Sequence, residues 1–269
     1  NADLLPSLSA VYALDEHQNL RAAASQTLAR PQLREISPFR YQESAGLFVR
    51  EGNPDLRRSR VTNLDARWEW FPSTEEVVAA SAFYKHFDDP IESVILGSTG
   101  DQTRSLANAK GADNFGLELE ARKNLAFLGP AFRAFNFFGN VTYTYSRITV
   151  PADQRFTQSE PSRPLQGQAP WVVNAALEYA SPFGTRVRAL YYVFGRRLDA
   201  IALKPTPNVY EESRHVVDVT VAQPLNRFLD LKVSAENVFN SPFRLTQGGQ
   251  YASRYTLGST YWATLAFTL

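Results

Sequence analysis

Three histidines are the only imidazoles in the 269 residues, and cysteine is absent. His17 falls in a short polar turn, His86 at the end of one apolar segment and His215 at the start of another, so no pair has the spacing of two metal ligands on one element. The lack of cysteine excludes disulfides and thiolate metal sites. The nearest approach to a nucleophile, base and orienter is Ser213, His215 and Asp218. On an extended strand Ser213 and His215 share a face while Asp218 points to the opposite one, so the imidazole cannot bridge the other two. No glycine-rich phosphate loop is present, and Gly248-Gly249 reads as a flexible turn in a long polar stretch. The reading is of a chain without catalytic residues, metal ligands or cofactor.

Charged side chains form the other candidate chemistry. Asp65, Arg67 and Glu69, then Glu118, Glu120 and Arg122, then Arg186 and Arg188, and finally Asp218, Lys232 and Glu236, occupy alternate positions of otherwise apolar or hydroxylated segments. Both signs occur in nearly equal number. Paired charges in a confined interior cost less than lone ones, so these residues are expected to be mutually paired on a water-filled wall, with contacts to a ligand or an enclosed domain as the sharper alternative.

The segments that carry them alternate with period two, the signature of strands. Eleven can be drawn: 5–14, 19–29, 61–71, 77–87, 115–122, 132–149, 171–179, 186–194, 216–222, 229–239 and 258–269. In 61–71, Leu64, Ala66, Trp68 and Trp70 oppose Asn63, Asp65, Arg67 and Glu69; in 77–87 the alternation is blurred and no face can be assigned. The last segment sets Tyr261, Ala263, Leu265, Phe267 and Leu269 against Trp262, Thr264, Ala266 and Thr268 after Gly258. As a water-exposed edge it would invite pairing with any other chain, whereas one face on lipid and one on a wet lumen accounts for it.

Composition agrees. Lys plus Arg number 28 against 27 Asp plus Glu, a formal charge of +1, which gives no basic field for nucleic acid. Mean hydropathy is −0.30 and no run is long and apolar enough for a membrane helix, but a barrel dilutes its lipid face with alternate polar residues. Aromatics reach 13%, as girdles at two membrane interfaces require. The Tyr143/Tyr145 pair and the Tyr191-Tyr192-Val193-Phe194 run read first as girdle, and second as a stacking surface for a sugar or aromatic ligand. Short turns alternate strictly with long polar loops at 32–60, 89–111, 150–169, 199–213 and 241–257, the asymmetry of outer-membrane barrels whose short turns face the periplasm. Arg50, Arg57, Arg58 and Arg60 in the first loop fit contact with an anionic ligand or lipopolysaccharide, and fit a solvated surface equally well. Eleven strands leave two open edges, so the 269 residues read as one piece of a longer barrel, with strands expected upstream.

Several motifs then resemble the second half of the barrel of TonB-dependent outer-membrane receptors. They are Leu4-Leu-Pro-Ser-Leu-Ser9, Leu28-Ala-Arg-Pro31 with Ile36-Ser-Pro-Phe39, Glu51-Gly-Asn-Pro-Asp-Leu56, Phe83-Tyr-Lys85 with Pro90-Ile91, Leu165-Gln-Gly-Gln-Ala-Pro170 before Trp171, and Glu236-Asn-Val-Phe-Asn240. The resemblance implies an all-β fold, an antiparallel transmembrane β-barrel portion forming the last half of 22 strands. It further implies an upstream plug domain and TonB box, and uptake of a scarce ligand across the outer membrane of a Gram-negative bacterium. The partners so implied are TonB, outer-membrane lipid and lipopolysaccharide, the plug, a small ligand and the barrel-insertion machinery. That machinery would read the terminal strand with Gly258, Tyr261, Leu265, Phe267 and Leu269. A passive pore or structural barrel without a plug is the alternative.

Overall fold

The computed structural model describes residues 3–42, 49–96, 103–150, 158–160 and 162–267. In chain order the elements are β1 (Ser7–Ala13), β2 (Gln18–Ala29), helix α1 (Leu33–Ile36), β3 (Arg40–Gln42), β4 (Val49–Glu51), β5 (Ser59–Trp70), β6 (Val77–Asp88), β7 (Ile91–Leu96), β8 (Thr103–Asn108) and β9 (Gly111–Asn124). There follow β10 (Phe135–Thr149), β11 (Trp171–Ala180), β12 (Arg186–Phe194), β13 (Arg197–Ala202), β14 (Val209–Glu211), β15 (Val216–Asn226), β16 (Leu229–Glu236), β17 (Phe243–Gln247), β18 (Gln250–Tyr255) and β19 (Thr260–Phe267). Two short 3₁₀ turns, Leu125–Leu128 and Pro130–Phe132, replace the simple turn expected between β9 and β10.

Eleven strands form one antiparallel sheet in the order β1-β2-β5-β6-β9-β10-β11-β12-β15-β16-β19. Each corresponds to one of the eleven alternating segments, and each pairs with its sequence neighbour in that set, so the hydrophobic pattern and the connectivity agree. Register makes the division of faces explicit. Leu20, Trp68, Ala80, Leu119, Val141, Val173 and Val193 follow one another across seven strands. A second row runs Phe137, Leu177, Ala189, Val219, Ala235 and Tyr261 to the last strand. Leu64, Phe115, Leu117, Leu119, Tyr143, Leu265 and Phe267 on this side are exposed. An exposed apolar face this broad far exceeds the patches that water-soluble monomers carry.

The blurred strand β6 is resolved by its partners: Val78, Ala80, Ala82 and Tyr84 share the apolar face, and Ala79, Ser81 and Phe83 the polar one. Phe83 falls on the polar face because Gly116 lies across from it on β9 and its ring covers the space a side chain there would take; an added Cβ would come within 2.0 Å of the ring.

The long connections are not plain loops. They contribute α1 and a second sheet of eight short strands, in the order β18-β17-β14-β13-β7-β8-β4-β3, with parallel pairs at β4/β8 and β7/β13. Ile95, Ala200 and Val209 are buried in it, with Leu245 packed against them. A further cluster of Ala109, Ala112, Ile148 and Val150, flanked by Phe87 and Leu165, joins the two sheets.

Candidate functional site

All eleven charged residues singled out in the sequence stand on the same face of the large sheet. Arg67, Ser81, Glu118 and Thr142 are one row; Glu69, Ala79, Glu120, Asn140 and Asn174 are the next. Arg122 lies opposite Phe138, whose row continues through Ala176 and Leu190 to Asp218. Arg186 aligns with Ala222 and Lys232, Arg188 with Thr220, Glu236 with Thr260, and Asp65 with Phe83. Because side chains of paired residues project to one side, the polar positions of eleven strands converge on a single wall.

Part of that wall is an ion-pair network. Arg67 donates from Nε to Glu69 (2.9 Å), from Nη2 to Glu120 (2.7 Å) and from Nη1 to Ser81 Oγ (3.2 Å), and Arg21 donates to the other Glu69 oxygen at 2.6 Å. Arg188 is paired with Glu178 at 2.9 Å. The Arg122 and Arg188 guanidinium groups lie 5.5 and 5.6 Å from the centroid of the Phe138 ring. Replacing Arg67 by Ala leaves Glu69 and Glu120 without a shared cation on a partly shielded wall. The expected cost is about 1–2 kcal/mol, below the full penalty for a buried pair because water reaches the site. A thermal melt of the folded barrel, with Arg67→Lys intermediate, checks this; equal midpoints for all three proteins would contradict it.

The three residues closest to a catalytic set are dispersed. Ser213 Oγ donates to the Phe194 carbonyl (2.6 Å), His215 Nδ1 bonds the Tyr191 hydroxyl (2.6 Å), and Asp218 accepts from the Asn237 N–H (2.7 Å). No proton path links them. His86 sits between Asp113 (2.8 Å) and Asp88 (3.4 Å). The aromatic clusters divide by face: Tyr143, Tyr145 and Tyr191 lie on the apolar side, and Tyr192 on the polar side.

The second sheet is fastened to the first by the Leu165–Pro170 motif. Leu165 packs in the joining cluster and its N–H donates to Ser146 Oγ at 2.9 Å. Gln166 accepts from the Ser93 N–H, donates to the Asp199 carbonyl, and its own N–H donates to Glu92 at 3.1 Å. Gln168 accepts from the buried Asn114 amide (2.9 Å), and the Pro170 carbonyl accepts from Thr144 N–H (2.8 Å). Beneath it Arg163 makes two bonds to Glu92, 2.8 and 3.0 Å, both side chains almost wholly buried, and a third to Gln158 at 3.1 Å. Elsewhere in the same sheet burial and a 2.6 Å bond to Glu160 push the Tyr210 phenol up to about 12, so it stays a donor at any physiological pH. None of these pairings is readable from sequence spacing, since Glu92 and Arg163 are 71 residues apart.

Of the terminal-strand residues, Tyr261, Leu265 and Phe267 share the apolar face with Ala235, Leu231 and Leu229 of β16, and Gly258 has φ +85°. Leu269 lies outside the described residues.

The model of the family described as TonB dependent receptor-like, beta-barrel matches residues 1–241. No curated protein sequence matches the chain. Among solved structures it is similar to a mutant of the ferric enterobactin receptor PfeA from Pseudomonas aeruginosa (17% identity, TM-score 0.63, 98% of this chain and 40% of that one). It is also similar to the siderophore receptor PirA from Pseudomonas aeruginosa (17%, 0.60, 98% and 42%) and to the FrpB iron transporter from Neisseria meningitidis (16%, 0.61, 98% and 38%). The chain thus spans about two-fifths of the length of these proteins.

Proposed function

We propose that this chain, which belongs to the TonB-dependent receptor β-barrel family, is the C-terminal part of an outer-membrane receptor that takes up an iron chelate with energy supplied through TonB. The observation that carries the reading is the two-faced sheet: eleven antiparallel strands with a continuous apolar side, a charged side and a folded crown at one end. In a bilayer every strand edge must be paired, so β1 and β19 call for further strands from the rest of the protein. The charged side then faces the lumen and a plug, the apolar side faces lipid and lipopolysaccharide, and the terminal strand with Gly258, Tyr261, Leu265 and Phe267 serves as the insertion signal. The similarity to proteins described as siderophore receptors and an iron transporter supports iron chelates over the other cargoes of such barrels.

Radiolabelled-iron accumulation by iron-starved cells carrying the whole protein tests this. Uptake that vanishes when TonB is removed, together with near-silent single-channel recordings, is the expected result; steady conductance and TonB-independent flux would establish a passive pore instead. Exchanging residues 32–57 for a short Gly/Ser linker removes α1, β3 and β4 but leaves every pair of β5. Ligand binding is expected to fall at least tenfold, about 1.4 kcal/mol or more, with the barrel still assembled. Loss of assembly with binding intact in the residual protein would count against the assignment of this segment.

A further inference from the structure

The turn between β9 and β10 is apolar throughout. Leu125-Ala-Phe-Leu-Gly-Pro-Ala-Phe132 is eight residues without one polar side chain, and Phe127, Leu128 and Phe132 are exposed on it, Phe127 by 67%. Such a run facing water invites aggregation and is uncommon on a surface that only meets solvent. Yet the turn is a built element. Asn124 accepts from the Ala126 N–H (2.9 Å), and its amide donates to the Arg133 carbonyl (3.0 Å) and to Asn136 Oδ1 (2.9 Å), which closes the base. Glu76, in the turn between β5 and β6, accepts from Lys123 Nζ (2.7 Å) and from the Asn124 N–H (3.1 Å), tying that base to the neighbouring turn. Two 3₁₀ turns then fold the tip, with Gly129 at φ +136° between them. Lys123, Asn124 and Glu76 are thus engaged at the base, and the tip presents only apolar surface.

A chain of rings indicates what covers that surface. Phe132 lies 6.2 Å from Phe135, and Phe135 lies 5.2 Å from Tyr179. Phe135 and Tyr179 are paired at the ends of β10 and β11 on the apolar side of the large sheet. The exposed rings of the turn are therefore continuous with the side that faces lipid and not with the charged wall. The next short turns along the sheet repeat the chemistry. Phe183, between β11 and β12, is 85% exposed. Phe228, between β15 and β16, stands 6.3 Å from Phe267 on the apolar side, with the Arg227 guanidinium 4.5 Å from its centroid. Phe132-Arg133 and Arg227-Phe228 are the same two residue types in opposite order, and neither arginine has a carboxylate partner among the described residues. A ring at the acyl boundary with a guanidinium beside it at the level of the phosphates is how an interfacial segment meets a bilayer. The β1/β2 turn, Asp15-Glu-His-Gln18, is polar by contrast.

We propose that the short turns from β9 to β16 are seated in the periplasmic leaflet of the outer membrane. Phe127, Leu128, Phe132, Phe183 and Phe228 enter the acyl boundary, Arg133 and Arg227 meet phospholipid phosphates, and together they hold this arc of the barrel at a fixed depth. The inference rests on the receptor reading above, since that reading turns these connections toward the periplasm.

Depth measurement by spin label tests this. The 269 residues hold no cysteine, so an introduced thiol is unique in this part of the protein once any cysteine of the remaining chain is replaced by serine. The whole receptor carrying a nitroxide at Phe127→Cys is placed in vesicles of phosphatidylethanolamine and phosphatidylglycerol. Collision with oxygen, which concentrates in the bilayer, is compared with collision with a nickel chelate, which stays in water. The oxygen-to-nickel ratio at 127 is expected to exceed that of a His17→Cys label in the polar β1/β2 turn by about fivefold or more, with Arg133→Cys between the two. Should Phe127→Cys fail to assemble, Leu128→Cys on the same tip takes its place. A ratio at 127 equal to that at 17 would put the tip in water and overturn the proposal. A label shielded from both reagents would overturn it as well, assigning the tip to a protein surface, either the plug or a periplasmic partner. An Arg133→Cys label as water-exposed as position 17 would refute the phosphate contact. Both leaflets of the vesicle have the same lipids, so the depth is read whichever way the barrel points. Iron uptake by cells is measured separately: a seated tip with TonB-independent flux strikes the receptor reading, and TonB-dependent uptake with the tip in water strikes the anchor alone.

Discussion

Glu92→Ala is expected to unfasten the crown while leaving the barrel sheet intact. Arg163 and Glu92 are 1% and 3% exposed, and the carboxylate receives both Arg163 nitrogens as well as the Gln166 N–H. Truncating one partner of a buried pair leaves a desolvated charge with no counterion, which costs about 3–5 kcal/mol. Of the remaining partners, Gln158 offers one oxygen at 3.1 Å and Pro164 a carbonyl at 3.5 Å, neither of them charged. The penalty falls on the segment 158–170, which holds β7 and β13 of the outer sheet to β9 and β10 of the large one. Since 1.4 kcal/mol is tenfold in an opening equilibrium, local opening should rise by about a hundredfold or more. Amide hydrogen exchange of residues 91–96 and 162–170 in the intact receptor measures this directly. The large sheet should keep its protection, because its ladders do not use Glu92. The double replacement Glu92→Met with Arg163→Met is expected to be far milder than the single one, since it removes the stranded charge together with the pair. Unchanged exchange in Glu92→Ala would show that the crown is held by its strand pairing and not by the ion pair.

The same contrast explains what could be read from the sequence. Strands of the large sheet are 7 to 15 residues long and have one face in each of two media, so period-two alternation marks them one by one; Ser59–Trp70 is the cleanest case. Their polar positions could be assigned to a common wall before any register was known, because alternation fixes the face and tight turns fix the neighbour. The crown fails both conditions. Its strands are three to six residues, and β13, Arg197–Ala202, is buried on both sides, so no alternation survives. Its pairings also join distant loops, two of them in parallel. In a single sequence Arg163 looks like any solvated loop charge. The crown's legible traces are motifs that carry the resemblance, such as Leu165–Pro170; the structure supplies the physical reason for that run, a glutamine that bridges β7 and β13 and a Gly167 at φ +77° that lets the chain turn beside them.

Asn237→Ala is expected to have the second large effect, on the seating of the last strand. Asn237 has φ +51°, a left-handed conformation that asparagine tolerates and alanine resists. From that position its N–H donates to Asp218 (2.7 Å), its amide donates to the Gly258 carbonyl (2.8 Å), its Oδ1 accepts from Ser241 N–H (2.9 Å), and its carbonyl accepts from Ser259 Oγ (2.8 Å). Asn240, also left-handed, accepts from the Gly258 N–H at 3.0 Å. The Glu236–Asn240 motif is thus a knot tying the entry of β19 to the outer ends of β15 and β16. Among the described residues β19 pairs with β16 alone, so this knot and one ladder fix its register. Alanine gives up two side-chain bonds at about 1 kcal/mol each and adds about 1–2 kcal/mol of backbone strain, roughly 3–4 kcal/mol in total. Glycine at 237 relieves the strain without restoring the bonds, so barrel yield and melting temperature should rank wild type above Asn237→Gly above Asn237→Ala. The measurement is the fraction of heat-modifiable barrel in isolated membranes. If the glycine variant instead falls level with alanine, the lost bonds to Gly258 and Ser241 account for the whole effect; if both match wild type, β19 is held by its ladder with β16 and the knot contributes nothing to assembly.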